Sequence, residues 1–306
     1  MDNNSSMTYQ QLGRSNLQVS KLAFGCMSLK QGQADFEQII HQAIDKGINF
    51  FDTADIYDNG ANEIAVGQAL KQKRKQVIIA TKVGNELKPD GSGLQWNPTK
   101  KHIITAVEKS LLRLQTDYID LYQLHGGTIE DAMDDTIDAF EILQQQGKIR
   151  YYGISSIRPN VIRAYIERSN IVSVMMQYSL LDRRPEETCL NLLQQNNIGV
   201  LARGSIAGGL LAGKELKPYL NYSLNEVQLA ADAIKKATVA GGNAAATAIA
   251  FTLANPAITC AVLGVRTMEQ LQDSLQAIES QTFVRSNFLF LEKAIPVNIY
   301  DQHRLD

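Results

Sequence analysis

The chain has 306 residues, of which 44% are hydrophobic and 20% are charged. This length and balance are typical of a globular protein with a large core and exclude a disordered chain. The formal net charge is −2, which argues against attraction to nucleic acid or to an anionic membrane surface. We therefore expect neither as a partner.

The three cysteines, Cys26, Cys189 and Cys260, lie far apart and form no CxxC pair. This spacing argues against a disulfide framework and against a zinc site. Residues 1–6 are polar and contain neither the basic nor the apolar region of a signal peptide. Together these features predict a cytoplasmic protein in a reducing environment.

Eight short apolar runs recur along the chain and predict β-strands. They are continuous rather than alternating, as in residues 77–80, which is typical of parallel strands covered by helices on their outer face. The runs cover residues 21–25, 49–53, 77–83, 118–125, 150–155, 173–179, 200–204 and 258–264.

Amphipathic segments between these runs predict helices. Their ends carry prolines suited to a first helical turn and glycines suited to a left-handed last residue. The helices are predicted over residues 33–46, 62–73, 98–115, 131–146, 159–168, 185–196, 225–254 (broken near Gly241-Gly242) and 267–278. The end signals are Asn97 as a cap before Pro98, Pro159, Pro185, Gly47, Gly147 and Gly199.

The alternation of strands and helices predicts right-handed βαβ units and a parallel sheet. Eight units favour a closed barrel, whereas six or seven would favour an open doubly wound sheet. We therefore predict a (β/α)₈ TIM barrel over residues 21–280, within one domain covering residues 1–306. The N-terminal segment 1–20 is predicted to form a short β-hairpin that closes the barrel bottom, and residues 281–306 are a C-terminal segment.

In such barrels the functional residues lie on the loops that follow the strands. Asp52 and Tyr57 flank the end of the second strand, Lys82 ends the third and His125 ends the fourth. Taken singly, each has an ordinary alternative, such as a loop carboxylate, a packed ring or a solvated charge. Because neighbouring strands place these ends side by side, we expect the four side chains to meet in a functional site.

Motifs that run from Gly13 to about Ser274 resemble the aldo-keto reductase family. The resemblance implies that Asp52, Tyr57, Lys82 and His125 form a catalytic tetrad. It also implies reduction of a small carbonyl compound, an aldehyde or ketone, to an alcohol with NADPH. The motifs are Gly25-Cys26-Met27, Phe51-Asp52-Thr53-Ala54-Asp55-Ile56-Tyr57, Asn62-Glu63, Gly67-Gln68-Ala69-Leu70, Ala80-Thr81-Lys82, Asp117-Tyr118-Ile119-Asp120-Leu121-Tyr122-Gln123-Leu124-His125 and Gly153-Ile154-Ser155.

Carbonyl reduction requires a hydride on carbon and a proton on oxygen. A free tyrosine has a pKa of about 10 and is a weak acid at neutral pH. A lysine cation about 4 Å away would favour tyrosinate by up to ~4 kcal/mol at an effective dielectric of about 20, so we expect Lys82 to lower the pKa of Tyr57 towards neutrality. Asp52 is expected to keep Lys82 charged and oriented, and His125 to orient the carbonyl oxygen, with no need for a metal.

The chain has no GxGxxG after its first strand, so the usual dinucleotide fingerprint is absent. The resemblance implies that NADPH/NADP binds instead across the barrel loops, with Ser155, Ser156 and Gln177 on the nicotinamide amide. Ser156 stands where the family often has Asn. Arg203 stands where the family commonly has a stacking aromatic residue; a planar guanidinium can also stack, and a surface salt bridge is the alternative.

The resemblance aligns residues 200–211 with a loop that cradles the pyrophosphate. Within it Gly204, Ser205, Gly208 and Leu210 are the candidate contacts, since glycine allows close backbone approach to phosphate.

The last helix is the second candidate anion site, because a helix N-terminus with a nearby arginine attracts phosphate. The resemblance assigns Gly264, Arg266 and Gln270 to the adenosine 2′-phosphate and Asp273 to the adenine. Asp273 and Ser274 stand where family members usually have Glu and Asn.

Three further side chains are expected near the site, and two of them, Cys26 and Trp96, have two possible interpretations. Cys26 and Met27 are expected to line the site, with Cys26 either a reactive thiol or a packed, inert one. Trp96 lies in the long loop 84–97 and is expected either to wall the substrate pocket or to pack the loop.

Other functions are compatible with the sequence. Barrels related to this family also serve as channel-associated subunits, so an NADP(H)-sensing regulatory or binding protein with slow turnover is the alternative. An unrelated metal- or phosphate-dependent barrel enzyme would need a His/carboxylate cluster, whereas His41, His102 and His303 are scattered. The oligomeric state is left open.

Overall fold

Eight parallel strands close into a ring in the computed structural model, which describes residues 7–30, 32–279 and 285–305. The strands are β1 Tyr9–Gln11, β2 Gln18–Ser20, β3 Leu22–Gly25, β4 Phe50–Asp52, β5 Ile78–Val83, β6 Asn85–Leu87, β7 Leu94–Trp96, β8 Ile119–Leu124, β9 Ile149–Ser155, β10 Ser173–Gln177, β11 Gly199–Arg203 and β12 Ile258–Gly264. The ring runs in the order β3-β4-β5-β8-β9-β10-β11-β12, and β12 pairs with β3. The predicted (β/α)₈ barrel is confirmed.

Helices follow the barrel strands and cover the ring. They are α1 Phe36–Asp45, α2 Ala61–Leu70, α3 Lys100–Leu114, α4 Met133–Gln145, α5 Pro159–Arg168, α6 Cys189–Gln195, α7 Leu224–Ala237, α8 Ala244–Ala254, α9 Met268–Glu279 and α10 Arg285–Glu292. In the described ranges, no helix is both long and apolar enough to cross a membrane.

Successive residues of each barrel strand belong to different layers of the core. Phe50, Ala80 and Leu121 pack in one buried cluster, whereas their chain neighbours, such as Phe51 and Ile79, pack in a cluster that includes helix residues. Because side chains alternate across a strand, the first cluster fills the barrel interior and the second lies between strands and helices. A residue that lies an even number of positions from Phe50, Ala80 or Leu121 along the same strand therefore also points inward; we call this the inward parity.

The N-terminal hairpin closes one end of that interior, as predicted. Strands β1 and β2 pair antiparallel, and Leu12, Leu17 and Val19 are buried in the same cluster as the inward residues. Gly13 has a φ of +53°, and a Cβ there would collide with backbone at Val172. The hairpin therefore fits tightly against the barrel strands.

Several local predictions need correction. Helix α3 begins at Lys100, with Thr99 as its cap, and Asn97 instead accepts a hydrogen bond from the Thr99 amide. The left-handed residue before β11 is Asn197, with a φ of 51°, rather than Gly199. The helix predicted over 185–196 is divided between a 3₁₀ turn at Arg184–Glu187 and α6.

Two loops contain more structure than predicted. The loop 84–97 forms the antiparallel hairpin β6–β7, and the C-terminal segment contains α10. The break near Gly241 is confirmed, because α7 ends at Ala237 and Asn243 caps α8.

Gly67 provides a test of helix packing around the barrel. It lies in α2, and a Cβ there would come within 2.6 Å of the Leu114 carbonyl at the end of α3. Helix propensity alone predicts that Gly67→Ala stabilises the protein by about 1 kcal/mol. Because that carbonyl cannot move without shifting α3, we expect Gly67→Ala to lower the free energy of unfolding by about 1–3 kcal/mol in urea titrations.

Gln68→Ala, on the exposed side of α2, is the matched control and should change stability by less than about 0.5 kcal/mol. A stabilising Gly67→Ala would contradict the close approach.

Candidate active site

The ends of three adjacent strands bring the predicted polar residues together. In register, Asp52 of β4 lies beside Ala80 of β5, and Lys82 of β5 lies beside Gln123 of β8. Asp52 and Lys82 share the inward parity of Phe50 and Ala80. They therefore meet at the open end of the barrel, opposite the hairpin.

Lys82 is the centre of the cluster. Its side chain is only 1% exposed, and its Nζ donates to Asp52 Oδ2 at 2.6 Å, to the Thr53 carbonyl at 2.7 Å and to Tyr57 Oη at 3.2 Å. An ammonium has three donors, so all of them are used. Burial alone would lower the pKa of Lys82, but Asp52 and Tyr57 reverse that effect and raise it.

Gln123 completes the pairing of Asp52 and was missed by the sequence analysis. Its Nε2 donates to Asp52 Oδ1 at 3.2 Å, so both carboxylate oxygens have a donor. Gln123 precedes His125 by two residues in β8 and has the same inward parity. That spacing is the signal that could have identified it.

A strained turn presents Tyr57. Asp58 and Asn59, which follow it, have φ values of 48° and 54° in the left-handed region. Buried Asn62 holds this turn to the end of β3: it donates to the Cys26 carbonyl at 3.0 Å and accepts from Thr53 Oγ1 at 2.7 Å. The backbone of the turn is thus fixed by contacts on both sides.

A second buried network lies behind this turn. Glu63 accepts from Arg113 Nε at 2.6 Å and from Thr81 Oγ1 at 2.6 Å. Burial, followed by the charge of Glu63, raises the pKa of Asp55 to about 7. Within the described ranges Asp55 Oδ1 is buried without a hydrogen-bond partner, which fits a carboxyl that takes up a proton near neutral pH.

His125 faces Tyr57 edge-on. The ring centroids are 5.9 Å apart at 82°, and Asn85 of the β6–β7 hairpin donates to the His125 carbonyl at 3.2 Å. Burial, then the charges of Lys82 and Arg203, lower the pKa of His125 to about 3, so the imidazole is neutral. Its Nδ1 is buried and has no partner in the described structure. A proton there would be unpaired, which favours the tautomer with the proton on Nε2.

Lys82 lowers the pKa of Tyr57, as expected, but the effect of burial on that pKa is larger. Burial raises the pKa of Tyr57 above its ordinary value, and the opposing charge of Lys82 does not compensate. The prediction that Lys82 brings the pKa towards neutrality is therefore wrong for this structure. The physical reason is that Asp52, 2.6 Å from Lys82 Nζ, offsets much of the cation's field while the phenolate still loses its hydration.

The candidate nicotinamide residues lie at the carboxyl ends of β9, β10 and β11. Ser156 is buried; its amide donates to the Met175 carbonyl and its Oγ accepts from the Arg158 amide. Gln177 is half-buried, and its Oε1 accepts from Arg203 Nη1 at 2.9 Å. In the described ranges Arg203 makes no ion pair, so the salt-bridge alternative has no support there. Ser155 ends β9 and is half-buried.

The loop after β11 has the backbone freedom expected of an anion cradle. Gly204 and Gly208 have φ values of +75° and +67°, and a Cβ at Gly208 would meet open space. Ser205 is buried, and its Oγ lacks a hydrogen-bond partner among the described residues. Leu210 is buried in the core beside this loop.

The candidate phosphate residues follow β12. Gly264 is exposed, and a Cβ at this position would lie only 2.5 Å from Ser28 Oγ. The Arg266 amide donates to Gln270 Oε1 at 2.9 Å, and the Arg266 side chain is exposed. Asp273 lies further along α9 and accepts from Asn243, the cap of α8.

Two side chains near the tetrad clarify earlier alternatives. Cys26 is fully buried, and burial raises the pKa of its thiol, so it is packed and unreactive. Met27, in contrast, is 56% exposed. Trp96 packs its ring against Gly84 and Gly126 and donates its indole N–H to Asp131 at 3.0 Å. It thus joins the β6–β7 hairpin to the loop after His125.

The sequence model of the aldo/keto reductase family matches residues 21–295. The chain belongs to this family.

The oxidoreductase YqkF of Bacillus subtilis, itself uncharacterised, is 46% identical over 97% of this chain and all of its own length. The holo form of aldo-keto reductase AKR11C1 from Bacillus halodurans is 45% identical, with a TM-score of 0.91 over 98% of this chain and 100% of its own. The reductase yakc [NADP(+)] of Schizosaccharomyces pombe is 33% identical over 65% of this chain and 62% of its own. The protein is therefore an oxidoreductase on an aldo-keto reductase barrel.

The neutral, buried state of His125 has a measurable effect on the stability of this reductase. Unfolded histidine binds a proton below about pH 6.5, whereas folded His125 stays neutral down to about pH 3. The unfolded state then binds more protons, so the contribution of His125 to stability falls as the pH falls. Between pH 7.5 and 5.0, we expect wild type to lose about 2 kcal/mol relative to His125→Asn.

Urea denaturation of both proteins at the two pH values measures this difference. His303→Asn, which replaces an exposed histidine, is the control. A wild-type stability that tracks His125→Asn at both pH values would mean that His125 is protonated in the folded protein.

Proposed function

We propose that the protein reduces an aldehyde or ketone to an alcohol with NADPH, and that Tyr57 donates the proton. The observation that carries this proposal is the buried Lys82 ammonium, whose three donors are all used by Asp52, the Thr53 carbonyl and Tyr57. A buried cation bound to a tyrosine oxygen is a costly arrangement in a protein core. It is useful where a phenol must lose its proton.

Each side chain of the tetrad has a separate role in the proposed proton transfer. Because Tyr57 Oη accepts from Lys82, its own hydrogen is free to point towards the carbonyl oxygen of a substrate. Burial keeps the pKa of Tyr57 high, so the phenol is protonated at neutral pH and acts as an acid. Lys82 then stabilises the phenolate that forms, while Asp52 and Gln123 hold Lys82 in place.

His125 supplies the second contact to the carbonyl oxygen. As a neutral imidazole with its proton on Nε2, it donates a hydrogen bond without competing to transfer a proton. The edge-on arrangement with Tyr57 lets the two donors converge on one oxygen. The carbonyl is thereby polarised without a metal ligand.

The residues around the tetrad fit a nicotinamide cofactor. When bound, NADPH supplies the hydride. Ser155, Ser156 and Gln177 would hold its carboxamide, and Arg203 would stack on the ring. The unpartnered Ser205 hydroxyl and the open backbone at Gly208 suit a pyrophosphate. The yakc relative carries NADP(+) in its name, which supports the same choice here.

The alternative, a protein that binds NADP(H) as a sensor with slow turnover, has less support. Sensing by itself requires only the cofactor contacts and does not account for the buried, paired Asp52, Lys82 and Tyr57. We therefore favour turnover.

Tyr57→Phe tests the proton donor. It removes the hydroxyl and little volume, so we expect kcat for aldehyde reduction to fall by ~10² or more, with the Kd for NADPH unchanged within about twofold. Steady-state NADPH oxidation and fluorescence titration measure the two quantities. Tyr222→Phe, whose hydroxyl bonds the Pro296 carbonyl, is a control for loss of a buried phenol. A Tyr57→Phe protein with wild-type kcat would remove Tyr57 from the mechanism.

Arg266→Ala tests the choice of NADPH over NADH. The two cofactors differ by one phosphate, and Arg266 lies just before α9, where the helix N-terminus already favours an anion. A charge-assisted hydrogen bond is worth ~1.5–3 kcal/mol, so we expect the Kd for NADPH to rise by ~10–100-fold and that for NADH to stay nearly constant. Equal weakening of both cofactors, measured by fluorescence titration, would mean that Arg266 only supports the loop.

A further inference from the structure

The amide of Gln177 is held by groups that distinguish its two ends. Its Nε2 donates to Asp182 Oδ2 at 2.8 Å and to Tyr219 Oη at 2.9 Å, while its Oε1 accepts from Arg203 at 2.9 Å. If the amide were turned over, its oxygen would face a carboxylate and its amino group would face a guanidinium. Both contacts would then be repulsive, so the observed orientation is the stable one.

Of the three partners of the Gln177 amide, Asp182 restricts the orientation of the amide most strongly. Its side chain is 1% exposed, and both its oxygens accept from Arg184, at 2.7 and 2.8 Å. A carboxylate in such a pair can only accept hydrogen bonds. Tyr219 has a hydroxyl that can donate or accept, so it would tolerate either orientation. Arg203 is exposed and free to change position when a ligand binds.

We propose that Asp182 is a positioning residue that makes Gln177 present its carbonyl oxygen, rather than its amino group, to the cofactor site. This inference rests on the proposed function, in which Gln177 contacts the nicotinamide carboxamide. An exposed amide oxygen selects a ligand group that carries an N–H. The carboxamide must then turn its amino group towards Gln177, and this fixes the carboxamide relative to the barrel.

The test compares NADP⁺ with its 3-acetylpyridine analogue, in which a methyl ketone replaces the carboxamide and leaves no N–H donor. Wild type should bind NADP⁺ more tightly by about tenfold, because the analogue leaves Gln177 Oε1 without its partner. In Asp182→Asn, Arg184 draws the Asn oxygen and leaves the Asn amino group facing Gln177, which favours the reversed amide. The preference should then fall below about twofold or reverse.

Binding of 2′,5′-ADP separates this effect from general damage. This probe has no nicotinamide, so its Kd should be the same for wild type and Asp182→Asn within about twofold. Because Asp182→Asn leaves Arg184 without its ion-pair partner, the double variant Asp182→Asn/Arg184→Gln is measured alongside, with folding checked by circular dichroism. Without Arg184 no cation orients the asparagine amide introduced at position 182, so the Gln177 amide is no longer held in one orientation and the preference should again fall below that of wild type.

Glu187→Gln is the matched control. Glu187 pairs with Arg304 in the same region and does not contact Gln177, so this variant should keep the wild-type preference. An unchanged preference in both Asp182 variants, with NADP⁺ still bound, would overturn the role of Asp182 alone. Failure of the wild type to bind NADP⁺ at all would overturn the proposed function instead.

Discussion

The buried ammonium of Lys82 is the constraint on which the rest of the site depends. A charge that is 1% exposed must have every donor satisfied, and here the acceptors come from β4, from the backbone that follows it and from the turn that carries Tyr57. Moving any of these elements would leave a buried charge without a partner. Stability and chemical arrangement are therefore set by the same contacts, and the strained turn after Tyr57 can persist because those contacts hold it.

The same pairing explains why Tyr57 is a neutral phenol rather than a preformed phenolate in this structure. A lone cation beside a phenol would favour the ionised form, but Asp52 offsets the charge of Lys82, and the Tyr57 side chain is half-buried. The pKa of Tyr57 therefore rises. The proposed reduction, in which Tyr57 would give a proton, would benefit from a phenol that is protonated at neutral pH.

Much of this arrangement could be predicted from period-two alternation along the strands. Asp52, Lys82 and His125 each lie an even number of residues after an inward apolar side chain, which places them on one side of the barrel wall. The number of barrel strands and the N-terminal hairpin were also predictable, because apolar runs and turn residues are local signals. Gln123 obeys the same alternation, but a glutamine has no distinctive chemistry of its own and was overlooked.

The remaining features depend on partners that are distant in sequence. Trp96 meets Asp131 and Gln177 meets Tyr219 through loops whose conformations have no periodic signal. The sign of the pKa shift of Tyr57 depends on the balance between hydration and charge, and burial must be known before that balance can be judged. Helix α3 begins two residues later than predicted, because the neighbouring cap residues Asn97 and Thr99 compete on nearly equal terms.

The hairpin at the barrel bottom also has a consequence for the order in which the chain can be completed. Its residues leave the ribosome well before the residues they contact: Arg14 donates to the Ile171 carbonyl across 157 residues, and Gly13 fits against Val172 and Gly199. Leu12, Leu17 and Val19 can be buried only when strands from both halves of the ring surround them. During synthesis this hairpin must therefore wait, with its leucines in water, for strands that emerge about 157 residues later. Docking of this segment reports that the barrel has closed.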